Sequence, residues 1–220
     1  MNRYDMIVMG AGPAGYVAAL RAASLGLKNI AVVEADKPGG VCLNWGCIPS
    51  KSLIHQAKVF SEKRELEAMG ITLDLSGFDY SKVYQQSRKV ADMLSRGILY
   101  LFKKNQITFL TDYFRFVDNH TLESAKGERI QSQRIIIASG AKPKSFSFCP
   151  IDETFILSST GALALQKLPS KALIIGSGAI GMEFAYIWNS FGVEVTVAEI
   201  MDRIVPLEDS EMTRSLKSSF

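Results

Sequence analysis

Two hexapeptides, Gly10-Ala11-Gly12-Pro13-Ala14-Gly15 and Gly176-Ser177-Gly178-Ala179-Ile180-Gly181, repeat one G-x-G-x-x-G pattern within a chain of 220 residues. Each follows a short apolar run, Tyr4 to Met9 or Lys171 to Ile175, and opens a helix-like stretch, through Leu25 or from Met182 to Phe191. A second apolar run comes next, Ile30 to Val33 or Val193 to Val197, and each copy closes on an acid: Glu34, 19 positions past Gly15, and Glu199, 18 past Gly181. The residue types fit the needs of a phosphate-binding turn. The first glycine permits a tight strand-to-helix turn, the second lets backbone approach a pyrophosphate, and the third lets helix meet strand. The helix start offers unpaired amides to phosphate oxygens, and the closing acid can accept hydrogen bonds from a ribose. One such loop can be an incidental glycine-rich turn. Two, each with an acid at nearly the same offset, point to two dinucleotide sites in one chain.

Between the loops lies Gly39-Gly40-Val41-Cys42-Leu43-Asn44-Trp45-Gly46-Cys47-Ile48-Pro49-Ser50-Lys51, which holds two of the three cysteines. A disulfide closing so small a loop constrains the unfolded chain weakly, so electron exchange is the expected use of the pair. The N-terminus has neither the long apolar core nor the cleavage site of a secretory signal, and no apolar segment approaches the roughly 20 residues that cross a bilayer. A cytoplasmic setting is therefore expected, where structural disulfides are rare and close thiol pairs are catalytic or metal-binding. For a metal, only Cys149, His55 and His120 remain as further soft ligands, none with a companion at ligand spacing, so no metal site is expected. The net charge of +3 is scattered over 25 basic and 22 acidic residues with no run of one sign, which argues against a nucleic-acid surface.

The remaining chain reads as scaffold. Ala14, Val17, Ala18 and Ala22 are the face of the first helix expected against a sheet. A helix is expected from Ser50 to about Met69, closed by Gly70, and His55 within it reads as a packed or hydrogen-bonded residue rather than a base. A longer helix runs from Tyr80, capped by Asp79, to Lys104, with Val83, Val90, Leu94, Ile98, Leu101 and Phe102 as its apolar stripe. Short β segments follow at Ile107 to Leu110, Tyr113 to Val117, Thr121-Leu122 and Arg134 to Ala138. Ala141 to Pro150, rich in proline and serine, reads as a linker, and Cys149 within it as a bystander thiol. The expected fold class is α/β, with two Rossmann-like dinucleotide-binding domains over 1–148 and 149–220, the second incomplete. Glu199, an acid where a ribose 2'-phosphate would need a base, favours NAD over NADP, although Arg203 lies near enough in sequence to be recruited to a phosphate.

The thirteen residues from Gly39 to Lys51, flanked by the two loops, resemble the active-site signature of the pyridine nucleotide-disulfide oxidoreductases. Ala138-Ser139-Gly140 is similar to that family's Ala-Thr-Gly turn, and Ser159-Thr160-Gly161-Ala162-Leu163 to the segment before its second domain. Within the family the stretch is most like the members that oxidise dihydrolipoamide. Glutathione and trypanothione reductases differ after each cysteine, whereas mercuric reductases share Pro-Ser-Lys.

The resemblance implies FAD held by Gly10, Gly12, Pro13, Ala14, Gly15, Glu34 and Gly40, with Ser139 and Gly140 near the flavin. It implies NAD held by Gly176, Gly178, Gly181 and Glu199. It makes Cys42 the thiol that exchanges with substrate and Cys47 the thiol beside the flavin that gives a charge-transfer band. Lys51 and Glu183 would stand where nicotinamide meets flavin. The implied partners are a homodimer mate and the lipoyl domain of a 2-oxoacid dehydrogenase complex or of the glycine cleavage system. The family's chains continue well past the position of Phe220, to an interface domain with a His-Glu pair, and neither His55 nor His120 matches that histidine. A truncated chain without turnover of its own is therefore expected. The competing readings are another family member such as a mercuric reductase, and a non-catalytic nucleotide-binding fragment that would not need Cys42 or Cys47.

Overall fold

A computed structural model describes residues 2–219. The chain begins with β1 (Asn2–Tyr4), β2 (Met6–Met9), α1 (Pro13–Ser24) and β3 (Ile30–Glu34), followed by α2 (Gly40–Trp45), α3 (Cys47–Ser61), α4 (Lys63–Ala68) and α5 (Tyr80–Lys104). Short strands follow: β4 (Thr108–Thr111), β5 (Phe114–Asp118), β6 (Thr121–Ser124), β7 (Arg129–Ser132) and β8 (Ile135–Ile137). The chain then runs through α6 (Ser159–Ala164), β9 (Lys171–Ile175), α7 (Ala179–Ser190), β10 (Glu194–Ala198) and α8 (Ser210–Ser218). By internal contacts it divides into two compact units, Met1–Pro49 with Arg88–Thr160, and Ser50–Ser87 with Gly161–Phe220.

The first unit is a parallel sheet in the order β4-β3-β2-β8, with Val8 opposite Val32 and Ile136, and Val33 opposite Leu110. Both faces of this sheet are covered, which is why β2 and β3 read as unbroken apolar runs. Val8, Val32 and Ile30 pack with Ala19 of α1 and with Ile98 and Phe102 of α5. On the other face Ile7, Ala31 and Val33 pack with Phe114, Leu122 and Ile130, which belong to a second sheet ordered β1-β7-β6-β5.

The single strand expected from Tyr4 to Met9 is two strands in two sheets. The break falls at Asp5, whose amide donates to the Asn29 carbonyl (2.7 Å) while its carboxylate accepts from the Asn29 amide (3.3 Å), so one half pairs with β7 and the other with β3. Of the sheet-facing side expected on α1, Ala22 packs against the core, whereas Ala14 is exposed and Val17 is 53% exposed, and Gly15 and Ala19 are the buried positions. On α5 the buried stripe is Ser87, Ala91, Ser95, Ile98 and Phe102, with Leu94 and Leu101 turned to the surface. The Asp79 carboxylate accepts from the Ser81 amide (2.9 Å) at its start, and Gln106, at φ +57, turns the chain out of the helix at its end.

In the second unit, β9 and β10 form a parallel pair, with Leu173 opposite Thr196. One face packs on α7 through Ile174, Val195, Phe184, Ile187 and Trp188, joined by Leu53 and Leu163. Leu173 and Ile175, on the other face, are exposed. Phe60, Phe78, Tyr80 and Phe191 form an aromatic cluster with centroids 4.7–5.7 Å apart, and burial there pushes the Tyr80 hydroxyl up to about 12. The helix expected from Ser50 to Met69 starts three residues earlier and breaks at Glu62, between α3 and α4.

Candidate functional site

The two glycine loops are near copies in backbone geometry. Gly10 and Gly176 have φ +100 and +101, values open to glycine and strained for other residues. Their amides donate to Val33 O and Ala198 O, each at 2.8 Å. A Cβ on Gly15 would lie 1.8 Å from Gly10 O, and one on Gly181 would lie 2.1 Å from Gly176 O, so each third glycine is required by the closeness of helix to turn. Both helices are capped by glycine without a side-chain hydrogen bond, Gly12 (φ −69, ψ −177) and Gly178 (φ −64, ψ 176). Pro13 follows Gly12 at a position where its missing amide costs nothing, and Ala14 lies beside it in the same first turn. First-turn amides with no side-chain cap, beside loop glycines that carry no Cβ, are the surface a pyrophosphate fits.

Both closing acids turn out to brace the loops. Glu34 accepts from the Ala11 amide through Oε2 (2.8 Å) and from the Asp36 amide through Oε1 (3.0 Å). Glu199 accepts from the Met201 amide through Oε1 (3.0 Å), and from the Ser177 amide (2.8 Å) and hydroxyl (2.9 Å) through Oε2. The Met201 amide, then the Ser177 amide and hydroxyl, hold the Glu199 carboxyl at about 2, well below its ordinary 4.5.

In the first unit the thiol stretch is seated against the first loop. Gly39, at φ +97, donates its amide to Ala11 O (2.8 Å). A Cβ on Gly40 would come 2.7 Å from Gly12 Cα. Gly40–Trp45 is helical, and Gly46 (φ −151, ψ −119) separates it from α3, which begins at Cys47. Cys42 is half-buried on α2 and Cys47 is exposed. Beside the first loop, the Ala138 amide donates to Met9 O (2.8 Å), and a Cβ on Gly10 would stand 3.3 Å from Ser139 Cα, so the Ser139-Gly140 turn borders the loop.

Three residues that hold this arrangement were not singled out from the sequence: Asn44, Arg88 and Ser95. The Asn44 amide group donates to Pro38 O (3.1 Å) and Gly40 O (3.0 Å), and the Ser95 hydroxyl also donates to Pro38 O (2.8 Å). Arg88 donates to Asn44 O (2.6 Å) and lies 5.2 Å from the centre of the Trp45 ring. Their one sequence signal is a polar residue on the buried side of an otherwise apolar helix stripe.

In the second unit Lys51, one turn past Cys47 on α3, pairs its Nζ with Glu183 Oε1 at 2.5 Å. Lys51 is largely exposed and Glu183 half-buried. His120 Nδ1 lies 3.3 Å from Ser132 O in the first unit, in the second sheet. Cys149 is half-buried in the segment after β8. Among the described residues no cluster of three His, Cys, Asp or Glu is arranged to hold a metal, and no helix is long and apolar enough to cross a membrane.

Residues 4–220 match the family model described as pyridine nucleotide-disulphide oxidoreductase. A dihydrolipoyl dehydrogenase of Trypanosoma brucei brucei is 41% identical over 98% of this chain and 46% of its own length. That of Bacillus subtilis is 39% identical over 99% of this chain and 48% of its own. Among solved structures, LpdA from Mycobacterium tuberculosis superposes with a TM-score of 0.87 at 25% identity, over all of this chain and 49% of that one. The flavoprotein disulfide reductase RclA from Escherichia coli does so with a TM-score of 0.82 at 28% identity, over 98% and 46%. The chain thus spans about half the length of the relatives it matches. With the duplicated loops, the seated thiol stretch and a match over almost its whole length, the chain belongs to the pyridine nucleotide-disulphide oxidoreductases.

Proposed function

We propose that this chain supplies the two dinucleotide loops and the dithiol of a flavoprotein that oxidises dihydrolipoamide to lipoamide with NAD+. The observation that carries the reading is the seating of α2 on the first loop. Gly40 against Gly12 and Gly39 against Ala11 O tie the thiol segment to the backbone that would hold a pyrophosphate. A nucleotide-binding module with no redox role has no need of that contact. The relatives named dihydrolipoyl dehydrogenase favour this substrate over the mercuric alternative.

In this reading residues 1–148 are the first segment of an FAD-binding domain and 149–220 the opening of an NAD-binding domain. The ADP half of FAD would rest on Gly10, Gly12, Pro13, Ala14, Gly15 and Glu34, bordered by Gly40, Ser139 and Gly140. NAD would rest on Gly176, Gly178, Gly181 and Glu199. Bound FAD would accept two electrons from the dithiol and deliver them as hydride to NAD+. The substrate's first thiolate attacks Cys42 Sγ of a Cys42–Cys47 disulfide, breaking that bond and releasing Cys47 as thiolate. Its second thiolate then attacks the substrate sulfur of the mixed disulfide. Lipoamide leaves, and Cys42 regains a thiolate. Both electrons now reside on the protein's two thiols. α3 begins at Cys47. Lys51, oriented by Glu183, adds a positive charge one turn on.

Neither His55 nor His120 is assigned as proton acceptor, and the chain by itself is proposed not to turn over. A homodimer mate, a lipoyl domain as electron donor and a cytoplasmic setting complete the proposal. The test is reduction of the FAD-supplemented protein by dihydrolipoamide under anaerobic conditions. Cys42→Ser should retain a long-wavelength absorption band and Cys47→Ser should lose it. The reverse assignment, or no effect of replacing both thiols, overturns the reading.

A further inference from the structure

Ser177 is fully buried and binds in three directions. Its amide and hydroxyl both donate to Glu199 Oε2, and its carbonyl accepts from the Val205 amide at 2.9 Å. The first repeat isolates what the hydroxyl adds. Ala11 stands at the matching position, its amide reaches Glu34 Oε2 at the same 2.8 Å, and its carbonyl accepts from Gly39. The turn, the amide-to-carboxylate bond and the returning segment are all built there without a side-chain donor. The serine hydroxyl is therefore unnecessary for the fold of the loop, and its target is the acid.

A carboxylate has about four acceptor positions. Ser177 and Met201 bond to three of them, so the group has little freedom to rotate. The Ser177 carbonyl also anchors the segment after β10. Val205 sits at φ +39, a conformation rare for a β-branched residue, and its carbonyl accepts from the Glu208 amide (2.9 Å). Within that segment Arg203, the base nearest in sequence to Glu199, donates Nη2 to Pro206 O at 2.9 Å. The acid is held by Ser177 and Met201, and the neighbouring base is bonded within its own segment.

We infer that Ser177 is the positioning residue behind this loop's preference for a dinucleotide with a free ribose 2'-hydroxyl, through its hydroxyl bond to Glu199. The inference deepens the proposal that the second loop holds NAD, and rests on it. A hydroxyl can donate to the fixed carboxylate, whereas a 2'-phosphate would place like charges together while Arg203 is bonded to Pro206 O.

The test is isothermal titration of the whole chain with NADH, NADPH and an NADH analogue lacking the adenosine 2'-hydroxyl. In Ser177→Ala the NADH dissociation constant should rise about tenfold, the scale of one hydrogen bond to a charged group. The analogue should bind within about twofold of its affinity for the unchanged protein, because the bond that Ser177 orients is absent from it. The NADPH-to-NADH ratio of dissociation constants should fall by about tenfold. Arg203→Ala, with the serine intact, should leave NADH affinity unchanged. Equal weakening of NADH and the analogue, or no change in either, overturns the positioning role while leaving the NAD site standing. Failure of the unchanged chain to bind NADH overturns both. Ser177→Gly removes the same hydroxyl and gives the same discrimination should the alanine variant misfold.

Discussion

The third glycine of the first loop offers the sharpest physical test of the fold, because one substitution carries opposite signs at two places in the chain. Gly15→Ala adds a methyl group 1.8 Å from Gly10 O, 2.9 Å from Gly10 C and 3.3 Å from Val8 Cγ1. Carbon contacts are favourable at about 3.5–4.0 Å, so α1 must retreat from the turn by on the order of 1.5 Å, against backbone that cannot swing aside. Overpacking of this kind costs about 1–3 kcal/mol, and rigid obstacles on two sides place Gly15 at the upper end. The better helix propensity of alanine returns at most about 1 kcal/mol, for a net loss of about 2 kcal/mol. Gly97→Ala is the control. Gly97 lies inside α5, and a Cβ there meets nothing within 4 Å, so the same change should stabilise by about 0.5–1 kcal/mol. Urea unfolding, with hydrogen exchange of β2 and β3 peptides to report on the first unit, separates the two by about 3 kcal/mol. Gly181→Ala, at 2.1 Å from Gly176 O, should repeat the loss in the second unit. Equal effects of Gly15→Ala and Gly97→Ala would refute the claim that close approach, rather than helix propensity, requires glycine in the loop.

Two further outcomes are expected. Phe102→Ala empties a site that is 1% exposed and packs against Phe109 at 5.7 Å, so it should cost about 3–5 kcal/mol, whereas Phe155→Ala, 90% exposed, should change the unfolding midpoint little. Glu199 is held at about 2 against its ordinary 4.5, so its bonds stabilise the fold in full above about 4.5 and lose that effect as pH falls towards 2. Glu199→Gln should therefore flatten the loss of stability between pH 4.5 and 2, read as urea midpoints across that window. An unchanged acid profile would remove the carboxylate from that account.

The elements whose form depends on near neighbours were legible from residue order. Both glycine loops, β9, α5 and the turn into α1 follow from steric rules that act within a few residues, and Gly10 and Gly176 reach the same φ because the same local crowding acts on each. The candidate site was legible as a set of chemical types for the same reason, since glycine, acid and thiol must recur at fixed short offsets. The helical form of Gly40–Trp45 was not, because it rests on Gly12, on Ala11 and on Arg88, which lies 44 residues from Asn44 along the chain.

By itself, then, the order of residues determined that the chain is α/β, that two loops of one kind recur in it, and which thiols, acids and glycines stand together. Tertiary structure decided the use of each. It split the first apolar run at Asp5 between two sheets, turned both closing acids onto the amides of their loops, and paired Lys51 with Glu183 across 132 residues of chain. The physical reason is the range of the forces involved. Backbone sterics are satisfied or violated within a single turn, whereas a buried polar group must find its partner wherever packing delivers one.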